Sequence, residues 1–174
     1  IQYNGSAFCG WQTQPDMPNV QDTLESALKT FATVPISTIC AGRTDTGVHA
    51  THQVVDFESP VARPLNAWVR GVNTFLPPTV AVRWACEVCD GFSARFSATE
   101  RTYEYWLLND PVRSPLMEGF VGWVFRPCDE TKMQEAAQCL LGEHDFTSFR
   151  ASECQAKSPI RTIHEVTVKR CGNM

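Results

Sequence analysis

The residues most able to do chemistry lie in one short run, Ala41-Gly42-Arg43-Thr44-Asp45-Thr46-Gly47-Val48-His49-Ala50. Strand-like runs flank it, so it is predicted to be a loop held by a rigid scaffold, with two glycines that allow tight turns. Asp45 can close an Asx turn on its own backbone, or present a carboxylate as a nucleophile or base at the lip of a cleft. Arg43 would favour the ionised carboxylate or bind an anionic substrate. Spacing alone leaves both roles open.

The triplet Asp45-Thr46-Gly47 also matches the D-T-G of aspartic proteases, in which two such aspartates share one proton. This chain has one D-T-G, so a protease would have to be a homodimer. In those enzymes an apolar strand end precedes the aspartate, whereas Gly42-Arg43-Thr44 precedes it here. Because Arg43 would keep the carboxylate ionised and prevent proton sharing, the protease is the disfavoured alternative.

The eight cysteines are scattered along the chain and fit reduced thiols that pack as small hydrophobes. Cys86-Glu87-Val88-Cys89 is one C-x-x-C, which is half of a zinc site. A zinc deaminase needs an H-x-E as well, and neither His49 nor His52 supplies one. The cysteine pattern therefore predicts no metal site.

Composition fits a globular protein: of 174 residues, 43% are hydrophobic, 20% charged and 10% aromatic. These values exclude a disordered chain, a collagen-like chain and a coiled coil. No apolar run approaches the roughly 18 residues of a membrane span, and no signal peptide opens the chain. A cytoplasmic protein with no membrane partner is expected.

The elements that must position the 41–50 loop follow from alternating helix and strand signals. Asn19 is predicted to cap a helix with apolar residues at the 3.6-residue period up to Phe31. A second helix covers 65–72, and a third starts near Asp129 and stops at Gly142. Strands are predicted over residues 1–3, 36–40, 53–57, 80–84, 102–108, 120–125 and 163–168. This order predicts two α/β halves, 1–100 with the Asp45 loop and 101–174, the second apparently truncated at its C-terminus.

The loop sequence resembles the A-G-R-T-D-x-G-V-H-A signature of the tRNA pseudouridine synthase A family. Other segments agree in the same order, namely Tyr3-Asn4-Gly5, Phe8-Cys9-Gly10-Trp11-Gln12, Val20-Gln21 with Leu24-Glu25, Asn73 with Leu76-Pro77, Phe92-Ser93-Ala94-Arg95-Phe96-Ser97, Arg101-Thr102-Tyr103-Glu104-Tyr105, His144-Asp145-Phe146-Thr147-Ser148-Phe149 and Arg161-Thr162-Ile163. The chain departs from the pattern at Asn4, Thr46 and Ser93, where the family usually has Asp, Ala and His. The agreement spans the whole chain.

The resemblance implies an α+β pseudouridine synthase fold: two ferredoxin-like (RNP-like) α/β halves share a mostly antiparallel sheet with a central catalytic cleft. It also implies the reaction, which isomerises uridine to pseudouridine in the anticodon stem-loop of tRNA without a cofactor. The N-glycosidic bond breaks, uracil turns within the site, and it rejoins the sugar through C5. A homodimer in which each tRNA contacts both subunits is implied as well.

The resemblance assigns Asp45 as the catalytic aspartate and gives Arg43 the task of holding the flipped nucleotide out of the helix. Tyr103 matches the active-site tyrosine, whose ring can stack on uracil and whose hydroxyl can assist removal of the C5 proton. Because Tyr103 alternates with Tyr105 in a strand-like run, one of the pair is expected in the core and the other at the cleft. Arg95 and Arg101 are interpreted as phosphate contacts, although both also fit ordinary surface charges.

The family's later G-x-x-F-L-x-x-M-V-R-like segment, which completes the same pocket, has no match after Lys169-Arg170. The chain is therefore expected to be the first two-thirds or so of the enzyme and to be weak or inactive alone. The alternative function is a non-catalytic RNA-binding module, since α/β halves of this kind also occur as RNA readers. Asp45 discriminates between the two, because a binder has no reason to place a carboxylate where phosphates enter.

The net charge of −4 argues against nucleic acid only when it is taken as a total. Residues 1–90 carry 5 basic and 8 acidic groups, whereas 146–174 carry 5 basic and 2 acidic groups. Arginines also lie in or beside the matching segments: Arg43, Arg95, Arg101, Arg150 and Arg161. A local basic cleft on an acidic protein can bind RNA, with a steep dependence on salt.

Overall fold

The computed structural model describes residues 1–150, 158–172 and 174, so that Cys154 lies outside the described residues. The chain divides into two compact units, Ile1–Tyr103 and Glu104–Met174. Within the described part, the strands pair in four two-stranded ladders, three antiparallel and one parallel. The helices of that part are all too short or too polar to cross a lipid bilayer. The result is a mixed α/β chain with small sheets.

The first unit is built around two helices, α1 (Val20–Ala32) and α2 (Leu65–Asn73). The residues that α1 buries follow the predicted 3.6-residue period. Phe31 of α1 packs edge-on against Trp68 of α2, with the ring centroids 5.1 Å apart. Gly71 leaves room for the Phe31 ring, which a Cβ at that position would overlap. Both predicted helices are confirmed.

Asn19 begins α1, as its position before the apolar period predicts. Its Oδ1 accepts from the Asp22 N–H at 2.8 Å, and its Nδ2 donates to the Met17 carbonyl at 3.1 Å and to Asp22 Oδ2 at 2.7 Å. The residue is only 2% exposed, so its polar atoms depend on these protein partners. One side chain thus fixes both the helix start and the turn before it.

The strands of the first unit flank this helical core. They are β1 (Gln2–Tyr3), which pairs antiparallel with β4 (Val80–Ala81), and β2 (Ile39–Cys40), which pairs antiparallel with β3 (Val55–Asp56). Opposite partners in the second ladder are Ile39 with Asp56 and Cys40 with Val55. A short helix, α3 (Ala94–Ser97), packs beside β2.

These strands are shorter than the predicted runs 36–40, 53–57 and 80–84. At Thr38 the backbone N–H and the hydroxyl both donate to Glu25 Oε1 at 2.8 Å, so this backbone bonds to a helix side chain and β2 starts only at Ile39. Side-chain partners for backbone groups are a known alternative to a sheet ladder, and apolar alternation does not reveal them.

Beyond β4 a side chain again takes the place of a neighbouring strand as hydrogen-bond partner of the backbone. Asn73 Nδ2 donates to the Val82 carbonyl at 2.9 Å, and the Val82 N–H donates to Asn73 Oδ1 at 2.8 Å. Because one amide side chain occupies both backbone groups of Val82, the ladder ends at Ala81.

The described residues of the second unit form two ladders and one α-helix, in the order β5 (Leu107–Asn109), β6 (Gly122–Val124), α4 (Glu130–Ala137), β7 (Gly142–Asp145) and β8 (Ile160–Ile163). The first ladder is parallel and the second antiparallel. Asp129 caps α4, which continues as a 3₁₀ turn to Leu140. The third predicted helix is therefore confirmed.

The strand predicted over 163–168 is wrong, because β8 ends at Ile163. Gln134 of α4 donates through Nε2 to the Val166 carbonyl at 3.1 Å and accepts the Val168 N–H at Oε1 at 2.5 Å. The Gln134 side chain thus makes the backbone hydrogen bonds that a neighbouring strand would otherwise make to this run.

The strand predicted over 102–108 is largely wrong as well, since β5 begins at Leu107. Tyr103 and Tyr105 are 80% and 86% exposed, so the expectation that one of the two lies in the core fails. Without a sheet partner there is no buried face to separate alternate residues.

We expect Asn19→Ala to lower the free energy of unfolding by about 1–2 kcal/mol, because it removes the α1 cap and two donated hydrogen bonds. Urea unfolding followed by circular dichroism measures this. The matched control is Ser26→Ala on the exposed face of the same helix, expected to stay within about 0.5 kcal/mol of the parent. Equal losses in the two variants would contradict the capping role.

Candidate active site

The loop that carries Asp45, residues 41–50, is hydrogen-bonded to a different two-stranded ladder at each end. At its start the Ala41 N–H donates to the Val54 carbonyl at 2.9 Å and so extends the β2–β3 ladder. At its end Ala50 pairs with Tyr3 of β1 through two backbone hydrogen bonds of 2.9 and 3.1 Å. We call this segment the Asp45 loop. It is positioned by two different ladders.

The N-terminal segment, residues 3–11, forms a platform for the middle of the Asp45 loop. The Trp11 N–H donates to the Thr44 carbonyl at 2.9 Å, and the Gly47 N–H donates to the Phe8 carbonyl at 3.2 Å. Trp11 is 1% exposed and Phe8 is 7% exposed, so the platform is itself fixed in the core. Main-chain bonds on both sides of Asp45 therefore hold the backbone that presents it.

Two glycines allow the platform and the loop to touch. A Cβ on Gly10 would lie 2.6 Å from the Thr44 carbonyl oxygen and 3.2 Å from the Asp45 carbonyl carbon, and Gly10 has φ +94°. A Cβ on Gly5 would overlap the Val48 carbonyl. Gly5 also donates its N–H to His49 Nδ1 at 3.2 Å. The two backbones approach more closely than any side chain would permit.

Two buried polar side chains lie against the first half of the loop. Tyr3 Oη and Thr44 Oγ1 share a hydrogen bond of 2.8 Å. Gln53 Nε2 donates to the Gly42 carbonyl at 2.5 Å, and the Gly42 N–H donates back to Gln53 Oε1 at 3.4 Å. Burial raises the pKa of the Tyr3 phenol, while hydrogen bonds from Thr44 and Gln53 act in the opposite direction. The phenol thus keeps its proton at neutral pH.

The sequence identified Tyr3 only as part of a matching segment and Gln53 only as a strand residue. Gln53 opens the apolar run Gln53-Val54-Val55, and a polar residue there is the one signal that could have drawn attention to it. Which backbone group a buried amide bonds depends on the fold, so the pattern alone does not find this role.

The predicted site residues on the loop are both exposed: Arg43 and Asp45 face solvent between anchored neighbours. Arg101 joins them at the loop base, where its guanidinium donates to the Ala41 carbonyl. Gly42 makes room for it, since a Cβ there would lie 2.6 Å from Arg101 Nε. The structure thus brings two of the predicted arginines to the loop that carries Asp45.

Arg95 lies on α3, next to the strand that leads into the Asp45 loop. Asp56 of β3 accepts the Ala94 N–H at 2.6 Å and so fixes α3 to the sheet. The Arg95 guanidinium stacks over the Phe96 ring at 5.4 Å, and Phe96 is 81% exposed. The fifth predicted residue, Tyr103, is the last residue of the first unit and lies outside any strand, so its convergence with Asp45 stays a prediction.

Cys40 reports the electrostatics at the base of the loop. Burial raises the pKa of its thiol, while the positive charges of Arg43 and Arg101 act in the opposite direction. Both guanidinium groups thus favour negative charge at this half-buried thiol, although burial has the larger effect on its pKa.

In the described part of the chain, no three His, Cys, Asp or Glu side chains lie close enough together to hold a metal ion. Cys86 and Cys89, the C-x-x-C pair, are both exposed free thiols. The loop offers an exposed carboxylate, with Arg43 two residues before it and the Arg101 guanidinium bonded at the loop base.

A carboxylate and guanidinium groups on a main-chain-anchored loop suit chemistry on a polyanionic substrate. Sequence comparison gives the class: the chain belongs to the tRNA pseudouridine synthase family, whose family model matches residues 1–97 and 136–174. The resemblance drawn from the loop signature is thereby confirmed.

Particular relatives carry the name tRNA pseudouridine synthase A. The one from Herminiimonas arsenicoxydans is 56% identical over 178 residues, covering 100% of this chain and 65% of its own length. Those from Burkholderia multivorans and Janthinobacterium sp. (strain Marseille) are 56% and 53% identical, covering 99% and 100% of this chain and 64% and 66% of their own lengths. The chain thus spans 64–66% of the length of these three relatives.

We expect Gly10→Ala to lower the free energy of unfolding by on the order of 3 kcal/mol, since it adds a backbone clash to an unfavourable φ. Gly47→Ala is the matched control, because Gly47 has φ +79° but nothing within 4 Å of its would-be Cβ. Its cost is expected to be about 1–2 kcal/mol, from conformation alone. Denaturant unfolding compares the two, and a Gly47→Ala loss as large as that of Gly10→Ala would rule out the close approach as the constraint.

We also expect Arg43→Gln to slow alkylation of Cys40 by iodoacetamide at pH 8 by roughly twofold or more, because removing the positive charge disfavours the thiolate. Mass spectrometry of the peptide that contains Cys40 measures the rate. Arg70→Gln, on the exposed side of α2, is the control and should leave the rate unchanged. A Cys40 rate in Arg43→Gln equal to that of the parent would show that Arg43 exerts no field at this thiol.

Proposed function

We propose that the protein isomerises uridine to pseudouridine in the anticodon stem-loop of tRNA, with Asp45 as the catalytic residue and without a cofactor. The observation that carries the proposal is the exposed Asp45 carboxylate on a loop whose backbone is hydrogen-bonded on both sides of it. Membership of the tRNA pseudouridine synthase family supports the proposal, as does the name of the relatives, tRNA pseudouridine synthase A.

The proposed reaction breaks the N-glycosidic bond to N1 of uracil and forms a bond from the same sugar carbon to C5. The C5 proton leaves and N1 gains a proton, so atoms and electrons balance without any co-reactant. An aspartate is ionised at neutral pH and can add to sugar or base and leave again, or take a sugar proton. The exposure of Asp45 gives a bulky nucleotide access to it.

Recognition of the substrate is proposed to fall to the arginines near the loop. Arg43 holds the flipped nucleotide out of the stem, which chemistry on a paired base requires. Arg101 and Arg95 contact phosphates, and the exposed Phe96 ring beneath the Arg95 guanidinium adds a stacking surface. Tyr103 stacks on the uracil and assists removal of its C5 proton; its exposure leaves the ring open to such contact.

The larger arrangement belongs to the same proposal. Two ferredoxin-like halves, 1–100 and 101–174, share a mostly antiparallel sheet with the cleft between them in the complete protein. That protein acts as a cytoplasmic homodimer whose two subunits both contact each tRNA. Three of the four described ladders are antiparallel, which suits this sheet.

The test uses the complete protein that contains this chain and tRNA carrying tritium at uracil C5. Tritium release is expected from the parent and should fall by at least about a thousandfold in Asp45→Ala, with tRNA binding retained. The control is Asp90→Ala, which removes an exposed turn carboxylate of the same unit and should release tritium like the parent.

Release that survives in Asp45→Ala would overturn the assignment of Asp45. Binding without release in the parent would favour the alternative of a non-catalytic RNA-binding module. Peptide cleavage blocked by a statine-type inhibitor would be the sign of the D-T-G protease, an activity that family membership makes the least favoured.

A further inference from the structure

We propose that Gln53 and Tyr3 are positioning residues that orient Arg43 and Asp45 from the buried side of the Asp45 loop. The proposal rests on the proposed function, because it concerns the geometry of that same reaction. Neither side chain is exposed enough to touch a nucleic acid: Gln53 is 8% exposed and Tyr3 is 3% exposed. Any effect they have on the reaction must pass through the loop.

Gln53 hydrogen-bonds both backbone polar groups of Gly42. Its amide holds the Gly42 carbonyl at 2.5 Å and the Gly42 N–H at 3.4 Å. Its own N–H donates to the Ile1 carbonyl at 2.9 Å, so the anchor is tied to a neighbouring segment. Glycine has the widest conformational range of any residue, and Gly42 directly precedes Arg43. Without the amide, the backbone at Gly42 is free to turn and to carry Arg43 with it.

Tyr3 fixes the position on the other side of Arg43. Its hydroxyl bonds Thr44 Oγ1 at 2.8 Å, and its backbone pairs with Ala50 at the end of the loop. Its ring packs against Trp11, with centroids 6.1 Å apart, and Trp11 in turn holds the Thr44 carbonyl. Thr44 is thus held through both its side chain and its backbone.

The two anchors flank Arg43. Gln53 holds Gly42 and Tyr3 holds Thr44, so the loop is bonded from the buried side before and after Arg43. Arg43 lies between these two anchored residues and is exposed, and Asp45 follows directly. Breaking either anchor is expected to misalign the reacting carboxylate, which lowers kcat, while the phosphate contacts that dominate tRNA affinity persist.

The test compares Gln53→Glu and Tyr3→Phe with Asn73→Asp in the complete protein. Gln53→Glu keeps the side-chain size but places a carboxylate oxygen against the Gly42 carbonyl, and Tyr3→Phe removes one hydroxyl. Asn73 holds both backbone groups of Val82 as Gln53 holds those of Gly42, so Asn73→Asp loses a half-buried amide with the same bonding pattern outside the loop. Steady-state tritium release from C5-labelled tRNA gives kcat and KM for each variant.

Both loop variants are expected to lose about tenfold or more in kcat, with KM changed by less than about threefold. Asn73→Asp should keep the parent's kcat even where its melting temperature falls as far as theirs. An unchanged kcat in Tyr3→Phe, or an equal loss in Asn73→Asp, overturns the proposal. If Gln53→Glu does not fold, Tyr3→Phe decides alone.

Amide hydrogen exchange of residues 41–46 separates this proposal from the proposed function. Faster exchange in Gln53→Glu and Tyr3→Phe than in the parent is expected whatever the protein catalyses. Exchange at the parent's rate shows that the anchors do not restrain the loop and also overturns the proposal. A parent that releases no tritium but shows the exchange difference overturns the proposed function and leaves the anchoring of the loop supported.

Discussion

The contact on which the site depends is the close approach of two backbones, the Asp45 loop and the N-terminal platform. Gly10 meets the Thr44 carbonyl at a distance that excludes a Cβ, and Gly5 does the same at Val48. Hydrogen bonds from Trp11 and Gly47 then lock the two segments together. Contacts between two backbones cannot be relieved by rotating a side chain. The packing of the first unit's core therefore fixes the backbone from which the Asp45 side chain projects.

Anchoring by the main chain also explains how charge is arranged. Backbone bonds and the buried Tyr3 and Gln53 side chains hold the loop from its buried side. Arg43 and Asp45 are both exposed, whereas Arg101 closes over the loop base at Ala41. Two guanidinium groups thus lie on or at the loop that carries Asp45, even though acidic groups outnumber basic ones in the whole chain.

Sequence reasoning succeeded where the determinants are local. The α1 cap, the apolar periods of α1 and α2, and the position of the loop between two strands all follow from neighbours in the chain. It failed where a distant side chain takes over backbone hydrogen bonds, as Glu25 does at Thr38 and Gln134 does at Val166. The family signature assigns the residues proposed to face the substrate, but not the buried groups that hold the loop, because those partners are 11 to 41 positions apart.

Two of the three departures from the family pattern, Asn4 and Thr46, fall where this anchoring does not depend on residue type. Asn4 stands where the family usually has Asp, and its side-chain oxygen accepts the Ser6 N–H at 3.0 Å, a bond that an aspartate oxygen would make equally well. Thr46 replaces a smaller residue at an exposed position, where its extra atoms meet solvent. The glycines at 5, 10 and 47 keep the identity that the loop geometry requires. These two departures therefore concern side chains that face water or need only an acceptor.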